Sequence, residues 1–165
     1  GVDWGWESVP EYLDALESKP RIMDIGAQLP HAALRYYVMG ERGAKREAAS
    51  EQDLTRMSEL TEQALHAGAL GLTTSRTLLH KTARGEYVPN YGAAARELQA
   101  LAAGVKRARR GVLQLLSDFE DVDAEFDLLC DWIEASGGRP LSFTLVQRWE
   151  MPRQWQRLLE RIEGA

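Results

Sequence analysis

GALGLTTSRTLLH, residues 68–80, begins as a small apolar strand and ends in hydroxyls, an arginine and a histidine. It reads as the outgoing end of a buried parallel strand. In α/β folds that end is where ligand sites gather. Upstream, Ser50 caps a helix whose Leu54, Met57, Leu60, Ala64 and Leu65 form one apolar stripe, and Gly68 closes it. Downstream, a polar loop with Gly85, Pro89 and Gly92 leads into a helix over 93–110, with Leu98, Leu101, Ala102 and Val105 inward.

The same alternation runs through the whole chain. Ser8-Val9-Pro10-Glu11 reads as a capping box opening a first helix that Pro20 ends. RIMDIGAQ, 21–28, reads as a strand, HAALRYYVM as a short helix stopped by Gly40, and ERGAKREAA as a charged loop. VLQLLSD from 112 is a third strand. A helix over 123–135 follows, with Phe126, Leu129, Cys130 and Ile133 on its apolar stripe. PLSFTLVQ, 140–147, is a fourth strand, and Trp155, Leu158, Leu159 and Ile162 mark a last helix. The order is one helix and then four βα units, which requires a parallel sheet with right-handed crossovers.

Two architectures satisfy that order: a doubly wound open sheet and half of a (βα)8 barrel. Strand parity separates them, because successive side chains point to opposite faces. One parity collects Met23, Ile25, Ala27, Leu70, Leu72, Leu113, Leu115, Leu141, Phe143 and Leu145. The other collects Asp24, Gly26, Gln28, Gly71, Thr73, Ser75, Gln114, Leu116, Asp118, Ser142, Thr144 and Val146. A doubly wound sheet is covered by helices on both faces and should be apolar on both. Here one face is apolar and the other mostly polar or small. The expected fold is therefore a partial (βα)8 TIM-like barrel, about four parallel βα units preceded by one helix. Residues 1–165 would form a single segment, about half of a barrel whose usual size is roughly 250 residues. Thr73 and Ser75 would face the lumen, with Arg76 and His80 in the loop above it.

Composition narrows the function. Of the 165 residues, 44% are hydrophobic and 27% charged, and the formal net charge is −5, which disfavours a nucleic-acid surface. The basic run Lys106, Arg107, Arg109 and Arg110 falls at a predicted helix end, where cations suit the dipole. No apolar run approaches the roughly 18 residues of a membrane span. Cys130 is the only cysteine; it permits no internal disulfide, reads as a small core residue, and fits a cytoplasmic setting. The start at Gly1, entering a helix almost at once, is expected of an internal fragment.

The stretches WGWESVPEYLDALE, GAQLPHAALRYYVMGERGA, ALHAGALGLTTSRTLLHKTARGEYVP and RPLSFTLVQ resemble, in family order, the N-acyl-D-amino-acid deacylase (D-aminoacylase-like) branch of the amidohydrolase superfamily. That resemblance implies a metal-dependent hydrolase in which zinc activates water to cleave the amide of an N-acyl amino acid. It places this chain mid-enzyme and implies that zinc ligands such as an HxH pair lie outside it. Where the family usually carries strand histidines, this chain has Leu115 and Leu116, then Leu145 and Val146, none of which coordinates zinc. No metal is therefore expected to be held by this segment alone, and the isolated segment is expected to be inactive. The alternative is a non-catalytic half-barrel serving as a ligand-binding or interaction module, and a weaker one is a flavodoxin-like domain for a phosphorylated ligand.

Candidate site residues follow from position. His31, just after the first strand, matches a Gly-His position of the family and is expected to contact substrate, with Arg35 one turn later. His80 lies in the long loop over the same rim. Asp118 is sent inward by parity and is the candidate catalytic carboxylate. With Glu120, Asp121 and Asp123 it forms an acidic run that reads as helix capping before it reads as a metal site. Trp4, Trp6 and Tyr12 are expected to pack the first helix onto the body or to serve self-association. Four parallel strands leave two edges bare, so the expected partner is the remainder of a barrel or a second copy, as a homodimer or by swapping.

Overall fold

The computed structural model describes residues 4–145, 147 and 149–164. The first helix, α1 (Val9–Glu17), forms where the capping box predicts. Ser8 Oγ accepts from Glu11 N–H at 3.4 Å, and the Glu11 carboxylate accepts from Ser8 N–H at 2.8 Å. The chain then runs extended to β1 (Leu29–Pro30), turns into α2 (His31–Met39) and a single turn α3 (Glu41–Ala44), and enters α4 (Glu51–Ala67). Next come β2 (Gly71–Arg76), α5 (Ala95–Ala108), β3 (Val112–Ser117), α6 (Val122–Ala135), β4 (Leu141–Phe143) and α7 (Gln154–Glu163). The charged stretch after Gly40 is thus partly helical rather than a plain loop.

All four strands are parallel, in the order β1-β2-β3-β4. Each neighbour in sequence is a neighbour in space, as a barrel wall requires and a doubly wound sheet, which reverses direction, does not. Register aligns Leu72 with Leu113 and Leu113 with Leu141. Leu72, Leu113 and Leu115 are buried under helices, whereas Gln114, Ser142 and Thr144 are exposed and Thr73, Ser75 and Leu116 half-exposed. The parity split therefore holds within β2–β4, although Leu145, just past β4 and expected under the helices, is exposed; the fold is a partial (βα)8 barrel with the helices of β2–β4 on one face.

The core lies between that face and the helix layer. Met57 and Leu65 of α4, Leu101 and Val105 of α5, and Leu113 are fully buried. Helices α4 and α5 meet closely because residue 104 is glycine: a Cβ there would lie 2.3 Å from the Ser58 carbonyl oxygen. Trp132 fills the space between α5 and α6, and its indole N–H donates to the Leu98 carbonyl at 3.0 Å. That bond satisfies the one polar atom of the ring, so a tryptophan can serve as core. The buried stripe of α6 is Val122, Phe126, Leu129 and Trp132, which turns Cys130 outward. The expectation of Cys130 as a core residue is corrected accordingly.

The first predicted strand also differs. Residues 21–28 are irregular, and regular pairing with β2 begins only at Leu29, although Leu70 N–H reaches the Ala27 carbonyl at 2.8 Å. No helix covers this stretch, since α1 packs against α4, and Met23, Ile25 and Leu70 are exposed rather than helix-covered. Pro30, which has no N–H to donate, sits in an edge strand where that costs nothing. Trp4 is 87% exposed while Trp6 packs on Tyr12, with ring centres 4.7 Å apart and planes tilted by 53°. Val146, assigned to the lumen by parity, lies outside the described residues. Among the described residues no helix is long and apolar enough to cross a membrane.

Candidate functional site

Behind the sheet, α2 and α5 clamp a buried polar network. His31 heads α2, and its Nδ1 lies 2.9 Å from Thr74 Oγ1 and its Nε2 2.8 Å from Glu97 Oε1. Arg35, one turn later, donates from Nε to the same Glu97 oxygen at 2.7 Å. Asn90 Nδ2 donates to Thr74 Oγ1 and to the Ser75 carbonyl, both at 3.0 Å. All five side chains belong to buried residues. Glu97 is ionised beside Arg35, so it accepts from His31 Nε2–H, and Nδ1 is then left to accept the Thr74 hydroxyl proton. The sequence fixes this arrangement through periodicity: Thr74 shares the helix-facing parity of Leu72, and Glu97 shares the inward stripe of Leu101 and Gly104.

Electrostatics agree with that protonation pattern. Burial lowers the His31 pKa below its ordinary 6.5, against the opposing pull of Glu97. For Glu97 burial acts upward, but the hydrogen bond from His31, together with the Arg35 guanidinium, outweighs it and holds the carboxyl below its usual 4.5. The site is a neutral histidine against a buried Arg–Glu pair. His31 and Arg35 were expected at a substrate rim; the structure places both on the helix-covered side of the sheet, with no exposed surface for His31 and 2% for Arg35.

The rim itself is built from the ends of β2 and β3. Asp118 follows β3 and accepts from Thr77 Oγ1 at 2.6 Å and from Leu78 N–H at 2.8 Å, holding down the start of the loop after β2. His80, in that loop, is exposed. Arg76 was expected above the lumen, yet it belongs to β2 and turns to the helix side. There its Nε meets Glu125 of α6 at 3.0 and 3.1 Å and its Nη1 donates to the Ala93 carbonyl. Ser117 Oγ donates to the same Glu125 at 2.8 Å. A hollow of about 300 Å³ opens here, lined by Arg76, Tyr91, Ser117, Asp118 and Glu125 among others.

The acidic run after β3 is used structurally. Asp121 caps α6 by accepting from Ala124 N–H at 3.1 Å, and Asp123 pairs with Arg157 and Arg161 of α7. A zinc ion does not fit the described residues, which contain no group of three His, Cys, Asp or Glu side chains able to hold a metal. Leu115 is buried under helices, Leu116 stands on the open face, and neither is a ligand. Sequence reasoning missed Glu97, Thr74, Asn90 and Glu125. A hydroxyl on an apolar strand parity and a glutamate on an apolar helix stripe were the available signals.

A parallel wall of four βα units with helices on one face and polar side chains on the other is the architecture of barrel enzymes. The family model for the amidohydrolase family matches residues 1–163, and the chain belongs to that family. The D-aminoacylase of Alcaligenes xylosoxydans xylosoxydans is 31% identical over 74 residues, covering 45% of this chain and 15% of that protein. Uncharacterized proteins of Mycobacterium tuberculosis and Mycobacterium bovis are each 29% identical over 122 residues, covering 70% of this chain and 20% of theirs. The chain thus spans a fifth or less of the length of these curated relatives. No solved structure matches it.

Proposed function

We propose that this chain is about half of the barrel of a cytoplasmic hydrolase that cleaves the amide of small N-acyl amino acids, those of D-configuration in particular. The observation that carries the reading is the polar open face of β2–β4, which leads up to Asp118 at the strand ends. The name of the Alcaligenes relative supports the substrate class. In this reading Asp118 is the carboxylate that faces substrate, and His80 approaches from the loop above. His31 and Arg35 act from behind the sheet by fixing where that loop starts and ends.

The zinc implied by the resemblance finds no ligands in the described residues, so no step is assigned to it here. Its ligands are proposed to come from elsewhere in the whole protein, and the segment by itself is inactive. The test is turnover of N-acetyl-D-amino acids by the whole protein, with and without a chelator. Hydrolysis lost on chelation supports the reading. Metal-free protein with no turnover supports the alternative, a non-catalytic half-barrel that binds a ligand or partner, which the presence of Leu116 on the open face favours.

The partner that completes the wall is proposed to be further barrel strands or a second copy. Both edges, β1 and β4, carry unpaired backbone groups, and rotating one copy by two-fold symmetry brings β4 of each against β1 of the other in parallel. Light scattering on the 165-residue chain should show dimers or larger species as concentration rises. A monomer at every concentration would exclude self-association.

A further inference from the structure

Arg35 does more than neutralise Glu97. Its Nη1 donates to the Gly43 carbonyl at 3.0 Å and the Pro89 carbonyl at 2.9 Å, and its Nη2 to the Glu47 carbonyl at 2.5 Å. One covered guanidinium therefore staples the segment after α2 to the loop after β2. Between these two walls lies a hollow of about 400 Å³, lined by Lys45, Arg46, Lys81, Gly85, Glu86 and Tyr87 among others. Its far wall is a small ordered hairpin. Thr82 N–H reaches the Glu86 carbonyl at 2.8 Å, Gly85 N–H reaches Thr82 at 2.9 Å, and Lys81 and Tyr87 pair across it.

The hollow concentrates positive charge in a chain whose net charge is −5. The Lys81 ammonium lies 5.2 Å and the Arg46 guanidinium 5.9 Å from the Tyr87 ring centre, and Tyr91 stacks on that ring at 4.5 Å. Among the described residues none of Lys45, Arg46 and Lys81 forms an ion pair, and neither does Glu86 on the same rim. Arg42, Arg96 and Arg107 on the neighbouring helices, by contrast, each meet a carboxylate. Arg46 has φ 60 because it ends α3 in the left-handed conformation: its N–H bonds the Gly43 carbonyl and the Glu47 N–H the Arg42 carbonyl, both at 3.0 Å. Its side chain is exposed, and its Nη1 donates to the Tyr87 carbonyl at 3.3 Å, which holds the guanidinium beside the ring. Three cations on one rim, none of them paired with a carboxylate among the described residues, suit an anion.

We propose that Lys45, Arg46 and Lys81 bind a small oxyanion, a carboxylate or phosphate group, in the hollow beside Tyr87. The buried Arg35 staple pre-forms the site, so little ordering is lost on binding. This site does not depend on the hydrolase reading.

Isothermal titration of the protein with inorganic phosphate, and separately with acetate, tests it. Saturable binding of either anion with a Kd of about 1 mM or tighter is expected, and the preferred anion names the ligand group. Lys81→Gln and Arg46→Gly should each weaken binding by about tenfold, and Lys81→Arg should restore most of it. Arg46→Gly loses the hydrogen bond to the Tyr87 carbonyl but gains a residue suited to φ 60, so its thermal midpoint should change little, which separates a binding role from a structural one. Arg110→Gln, remote from the hollow, should change nothing. Absence of saturation with both anions, or equal weakening by Arg110→Gln, would overturn the proposal.

Discussion

At the scale of single residues, His31 carries a pH dependence whose sign follows from its burial. Its folded pKa lies below the ordinary 6.5, so well above that pH neither folded nor unfolded chain carries the second, charging ring proton and its contribution to stability is fully present. As pH falls through 6.5 the unfolded chain takes up a proton that the folded chain declines, and stability drops. Glu97, also lowered, sheds its contribution only as pH falls past 4.5. The melting temperature should therefore decline from about pH 7 to about pH 5, dominated by His31. His31→Gln should cost about 1–3 kcal/mol at neutral pH, since buried partners lose a bond, and should flatten that decline. An unchanged slope in the variant would show that the histidine is not its source. His31 and Arg35 stood out in the sequence, but the face they occupy did not, because a helix that starts at a strand end can turn its first residues either way.

At the scale of elements, most of the chain was legible. A capping box at Ser8 and a cap at Ser50 place two helix starts, and Gly68 ends α4 in the left-handed conformation at φ 117. Parity along β2 and β3 separated the two faces because both strands are long enough to alternate several times. It failed in 21–28, where one-sided pairing and lack of a covering helix leave Met23 and Ile25 exposed. The helical stripe on α6 held at Phe126 and Leu129 but missed Val122 and Trp132 and wrongly included Cys130, because Trp132 satisfies its indole through the Leu98 carbonyl, a contact no local pattern announces. The contact of α4 with α5 supplies a test. Gly104→Ala gains up to about 1 kcal/mol of helix propensity, yet its methyl meets the Ser58 carbonyl oxygen at 2.3 Å and Thr61 Cβ at 3.0 Å. Overpacking of this kind costs about 1–3 kcal/mol, so the urea midpoint should fall. A midpoint that rises would mean the helices are not held this close.

At the scale of the whole molecule, the account rests on a wall with hydrocarbon and helices on one side and polar groups on the other. Thiol labelling reads that arrangement directly. In a Cys130→Ser background, Gln114→Cys and Ser142→Cys stand on the open face, while Thr74→Cys and Ser117→Cys stand under helices. The account predicts that the monomeric chain is labelled rapidly at 114 and 142, at rates comparable to native Cys130, and slowly at 74 and 117. Protection at 114 and 142 equal to that at 74 and 117 would place helices over both faces and contradict the barrel wall.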